Sequence, residues 1–135
     1  MAENVELAYL VLITSLNTNS QTVYSPIEGI INKITVTWPS GCNFLVEVLF
    51  RHKRVQFIPT PAQGGSVGIA LNNFTETLNP NWAIAKDDPI ELYAINHDGG
   101  NNHSISAVVH ITGYETPEPG ERIPRKEAKC IRRTQ

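Results

Sequence analysis

Apolar and polar residues alternate with a period of two over most of this chain, and turn residues break the alternation at short intervals. In EGIINKITVTWPSG, Ile30, Ile34, Val36 and Trp38 fall on one face and Lys33, Thr35 and Thr37 on the other, the pattern of a strand with one buried face. Pro39-Ser40-Gly41 then forces a turn. The next run sets Phe44, Val46, Val48 and Phe50 inward and Asn43, Glu47 and Arg51 outward, with Leu45 and Leu49 making the second face partly apolar. The two runs are expected to pair as an antiparallel hairpin. Further strands are predicted at Val67 to Leu71, behind Gly64-Gly65, and at Ile90 to Ile95, behind Asp87-Asp88-Pro89. HDGGNN separates the latter from Ser104 to Thr112, and this pair of alternating arms is expected to form a second hairpin. No stretch of ten residues reads as helix, although a short helical turn capped by Asn72 is allowed over Asn72 to Leu78.

The first apolar run, Val5 to Ile13, is different because both of its faces are apolar. Val5, Leu7, Tyr9, Val11 and Ile13 alternate with Ala8, Leu10 and Leu12. Such a strand wants cover on both sides. It is expected either at the centre of a sheet beneath a second sheet, or with one face against a neighbouring subunit. After Gly113 the periodicity stops, and ETPEPGERIPRKEAKCIRRTQ mixes prolines with charges. A segment of that kind cannot offset its ordering entropy by burial on its own. The expected organisation is a β-sandwich domain over residues 1–114 and an extended C-terminal arm over residues 115–135, ordered where a partner holds it.

Composition narrows the function classes. The chain has 135 residues, 41% hydrophobic and 18% charged, which suits one self-folding domain, since a single core commonly takes about 100 to 200 residues. The net charge of −2 hides an asymmetry: six cations against four carboxylates give the region from Glu115 onward +2, leaving −4 on the body. An acidic body argues against a nucleic-acid-binding core, whose footprint is a basic face. The acidic N-terminus lacks the basic segment of a secretory signal, and Val5 to Ile13 is shorter than a membrane span. No membrane association is expected, and synthesis in the cytoplasm is. Cys42 and Cys130 are expected as free thiols.

Several constellations could in principle carry chemistry. His97, Asp98 and His103 are metal-ligand types that a turn could bring together, but no fourth ligand accompanies them. A blue-copper site fails because the one methionine is Met1. Cys42 could be an exposed thiol near one of the histidines, yet no nucleophile motif surrounds it. Asp87, Asp88 and Glu91 lack the alternate-acid spacing of a calcium loop. Arg51, His52, Lys53 and Arg54, beside Phe50 and Phe57, could touch phosphates but read as a solvated hairpin tip. Asn73-Phe74-Thr75 and Asn102-His103-Ser104 match the glycosylation pattern without a secretory signal to use it. No cofactor, no metal and no catalysis are expected.

The hairpins GIINKITVTWPSGCNFLVEV and KDDPIELYAINHDGGNNHSISAVVHITG, within a run of short strands from Tyr24 to Gly113, resemble the small β-sandwich or jelly-roll accessory proteins of tailed phages and related viruses. That resemblance implies an all-β antiparallel sandwich of jelly-roll type with an extended C-terminal arm. Its implied role is a noncatalytic one in the virion: capsid decoration, cement or tail component, acting as a homo-oligomer with a major capsid or tail protein as partner. The expected contact residues are Leu7, Tyr9, Val11 and Ile13 in the first strand and Ile123, Arg125, Ile131 and Arg132 in the arm. Carbohydrate-binding sandwiches share the pattern, and in that alternative Trp38, Trp82 and Tyr93 would be exposed stacking platforms.

Overall fold

A computed structural model describes residues 3–59 and 68–114. Nine strands are formed: β1 (Asn4–Ile13), β2 (Thr18–Tyr24), β3 (Gly29–Trp38), β4 (Val46–His52), β5 (Val55–Ile58), β6 (Phe74–Leu78), β7 (Trp82–Ile84), β8 (Pro89–Asn96) and β9 (His103–Gly113). They make two antiparallel sheets. A five-stranded sheet runs β1-β9-β3-β6, with β7 also pairing β3, and a four-stranded sheet runs β2-β8-β4-β5. The period-two pattern predicted this class. One face of each sheet is apolar, and the two faces close on each other: Trp38, Ile34 and Ile105 of the first sheet and Phe50, Ile90 and Leu92 of the second are all buried in one cluster. Each such side chain contributes about 1.5–3 kcal/mol by leaving water.

Both expected hairpins are corrected. β3 and β4 lie in opposite sheets, as do β8 and β9. Alternation reports that a strand has one buried face, and it reads the same whether the next strand lies beside it or across the core. The connectors are built to arch over the end of the core. Trp38, closing β3, donates its indole N–H to the Val46 carbonyl that opens β4, at 3.0 Å. Buried Asn96 donates to the carbonyls of Ile13 and Asn101, and its own amide oxygen accepts from Asp98 N–H, turning the chain from β8 toward β9. The short two-residue hairpin joins β4 to β5, where His52 pairs Val55.

Three further expectations change. Asn72 does not open a helix: Phe74–Leu78 is a strand paired to β3. In its loop Asn72 accepts the backbone N–H groups of Gly41 and Asn43 through its side-chain oxygen. Val67 lies outside the described residues, and Ile69 forms an isolated bridge to Val48. In β3 the buried residue is Ile31, not Ile30, because the register slips between Ile31 and Lys33. That bulge shifts the phase of the strand's first half by one residue. At Gly29 the chain crosses β9 so closely that a Cβ would run into the Thr112 carbonyl.

Candidate functional site

β1 is an edge strand, and its two faces have opposite fates. Leu7, Tyr9, Val11 and Ile13 are buried in the domain's own core, so the expectation that they meet another subunit is corrected. Sheet-on-sheet packing takes them: the Tyr9 ring stands edge-on to Phe50 at 5.9 Å, and its hydroxyl donates to the Ile90 carbonyl at 2.8 Å. Burial pushes the Tyr9 hydroxyl pKa well above its ordinary value. The other face of β1 is open to solvent. Leu10 is 72% exposed and Leu12 57%, opposite Ser106 and Ser104 of β9, while exposed Ala8 lies opposite Val108. The free edge of β1 is partly capped by β2: Gln21 accepts Leu10 N–H, and Asn19 donates to Leu12 C=O. Side-chain caps of this kind discourage strand addition at an edge. Exposed leucines on the flat of the sheet are a separate matter. The arm residues Ile123, Arg125, Ile131 and Arg132 lie outside the described residues.

The three aromatics expected as platforms are not available as a set. Trp38 is buried in the core. Trp82 stacks on Phe57 at 5.0 Å and donates its indole N–H to His52 Nδ1 at 2.9 Å. Tyr93 carries the Arg51 guanidinium 4.3 Å from its ring centre. Two cations of the basic run are likewise paired: Arg51 with Glu91, and Lys53 with Asp88 at 3.5 Å. Because an indole nitrogen can only donate, His52 Nδ1 is the acceptor and Nε2 carries the proton given to Asp88 at 2.8 Å. The Ala85 backbone N–H and then His52 hold the Asp88 carboxyl below its ordinary pKa. This is a satisfied brace between the β4–β5 hairpin and the start of β8.

Of the metal-ligand candidates, Asp98 and His103 meet at 2.9 Å, whereas His97 turns to Glu47 at 3.5 Å. Among the described residues no group of three His, Cys, Asp or Glu side chains could hold a metal ion. Asp98 also accepts from Gly100 N–H and Asn101, and these bonds, His103 first, bring its pKa down to about 2. Asp87, Asp88 and Glu91 do not converge, since Asp88 faces His52 and Glu91 faces Arg51. Cys42 is buried, not exposed, and burial raises its pKa, which disfavours the reactive thiolate.

The residues that pattern reading missed sit in turns. At the end where β1 stops and β9 begins, Asn17 N–H bonds to Thr14 C=O with Leu16 at φ 58°, the φ signature of a type II turn that wants Gly in that position. On the next loop Leu45 N–H bonds to Cys42 C=O with Asn43 at φ 51° and Phe44 at φ 62°. That is a type I′ geometry, in which Asn-Gly is the favoured pair. Phe44 was expected to point inward; it is 65% exposed, and Leu16 is 68% exposed. A left-handed conformation costs a non-glycine residue about 1–2 kcal/mol, and solvent returns nothing for it. Within a single sequence, Cys-Asn-Phe in place of Cys-Asn-Gly offered no alternation to mark it.

No family model matches the chain, and no curated protein matches it. Among solved structures, the crystal structure of FLHE is similar over 82% of this chain and 96% of that chain, with 11% identical residues and a TM-score of 0.47.

Proposed function

We propose that this chain is a noncatalytic structural subunit that works by assembling with other protein molecules, itself included, in a virus-like particle as a decoration, cement or tail component. The observation that carries the reading is the outer face of β1, where Leu10 and Leu12 stand exposed beside Ala8 and Val108. Apolar side chains grouped on a regular surface mark protein contacts, whereas scattered ones do not. The strand order supports the jelly-roll form of this reading. With β7 set aside as an addition, eight strands divide into the orders β1-β9-β3-β6 and β2-β8-β4-β5, so that successive strands repeatedly cross from one sheet to the other. The contacts expected from residues 115–135 would add a second attachment in this reading.

The test is solution mass by light scattering over a range of concentrations, for the wild type and for Leu10→Lys with Leu12→Lys. Both positions are exposed, so the variant should keep its far-UV spectrum and melting temperature. Its self-association should weaken by about tenfold or more. A wild type that stays monomeric at the highest concentration would defeat the self-assembly reading.

A further inference from the structure

We infer that His52 and Trp82 form an acid-released latch between the two sheets: taking up a proton forces the His52 ring to let go of the Trp82 indole, and β7 loses that side-chain tie to the β4–β5 hairpin. The inference goes beyond the assembly reading and does not rest on it.

The latch follows from what each partner can offer. Trp82 opens β7, a strand of three residues that pairs with β3 of the first sheet. Its side chain crosses to the second sheet, where it stacks on Phe57 and donates to His52 Nδ1 at 2.9 Å. An indole nitrogen has a proton to give and no lone pair with which to accept, so this bond exists only while Nδ1 is bare. On the other side of the ring, Asp88 Oδ2 lies 2.8 Å from Nε2 and, when ionised, can only accept. A neutral ring with its proton on Nε2 satisfies both neighbours. An imidazolium carries protons on both nitrogens, and its Nδ1–H would face the indole N–H at bonding distance.

The two neighbours therefore pull in opposite directions as pH falls, and bond strength decides between them. A bond from imidazolium to carboxylate is charge-assisted and roughly twice as strong as one between neutral groups, so Asp88 keeps the ring and Trp82 gives way. Asp88 stays ionised meanwhile, since the Ala85 N–H and then His52 hold its carboxyl below the ordinary pKa. Water has little room to relieve the conflict: the His52 side chain is 13% exposed and that of Asp88 11%. The other charged groups nearby act on Asp88 or on each other. Lys53 Nζ lies 3.5 Å from the second Asp88 oxygen, and Arg51 is paired with Glu91. Arg54, Lys86 and Asp87 are exposed. The residues opposite His52 in its two ladders are Val55 of β5 and Ile90 of β8, neither of them charged.

The chain has two tryptophans, so its spectrum holds two indole N–H resonances. Trp38 donates to the Val46 carbonyl, which does not titrate, and is the internal control. The measurement is heteronuclear NMR of the full chain from about pH 8 to about pH 5, where histidine side chains change charge. The Trp82 indole resonance should move toward that of a water-bonded indole, in step with the ring signals of His52. Its protection against hydrogen exchange, relative to free tryptophan at the same pH, should fall by about three- to tenfold, the loss of one hydrogen bond. Trp38 should not change. His52→Gln keeps one acceptor and one donor but has no titrating proton, so the Trp82 resonance should hold still in that variant. Because the wild type carries its own control, the outcome does not depend on the variant folding. A Trp82 resonance that stays in place while the His52 ring takes up its proton overturns the inference, as does a ring that stays neutral throughout. Joint movement of Trp82 and Trp38 overturns it as a general loosening, and movement of Trp82 in His52→Gln overturns it by tracing the change to another group.

Discussion

At Asp98 one carboxylate gathers His103 Nε2, Gly100 N–H and the Asn101 amide, and the Asp98 carbonyl takes Ser15 Oγ. The carboxyl therefore titrates at about 2 in the fold, against 3.8 without these donors. A group with a depressed folded pKa stabilises the fold above its unfolded value and loses that contribution as pH falls through the folded one. The window here is roughly pH 4 down to pH 2. In thermal melts, Asp98→Asn should lower the melting temperature at pH 6 and flatten the decline between pH 4 and pH 2. A variant with an undiminished acid decline would show that the loss belongs to other carboxylates, Asp88 first among them. The sequence placed His97, Asp98 and His103 together as metal-ligand types, and it was right that a turn collects polar groups there. It could not show that His97 leaves on the opposite side toward Glu47, because a loop has no period from which to read direction.

Strands were legible in this chain to the extent that each obeyed one uninterrupted phase. β8 and β9 did, and in β9 the alternating face of Ile105, Ala107, Val109 and Ile111 is the buried one. β3 did not, because the extra residue between Ile31 and Lys33 resets the alternation. Ile34, Val36 and Trp38 were assigned correctly on one side of the bulge, and Ile30 was chosen over Ile31 on the other. The consequence is measurable by denaturant unfolding. Ile31→Ala, which removes fully buried volume, should cost about 2–5 kcal/mol. Ile30→Ala, at a half-buried position, should cost about 1 kcal/mol or less. Equal losses would contradict the bulge register. β1 makes the same point about faces. Its two apolar faces were visible, but only the fold could say that the core takes Leu7, Tyr9, Val11 and Ile13 and leaves Leu10 and Leu12 outside.

Across the whole molecule, the sheets are joined by more than apolar contact. The Tyr9 hydroxyl reaches from β1 to the Ile90 carbonyl in the other sheet, Trp38 N–H reaches from β3 to Val46, and Asn96 reaches from β8 to Ile13. Each bond is buried at the sandwich interface, where a group left without its partner would cost about 1–3 kcal/mol. Opening one sheet alone would break all three. The topology adds to this, because β1 finds its neighbour β9 at the far end of the described chain, and β3 also pairs β9. This long-range order is what alternation could not convey: a period of two fixes which way side chains point, while sheet partners are chosen by arches whose residues follow no period. Urea unfolding should therefore be a single transition, with the midpoint from the fluorescence of Trp38 and Trp82 coinciding with the midpoint from far-UV circular dichroism. Tyr9→Phe removes one tie without altering ring packing, and it should lower stability by about 1 kcal/mol while moving both midpoints together. Midpoints that separate, in the wild type or in Tyr9→Phe, would mean that the two sheets unfold as independent units and that the polar ties between them are incidental.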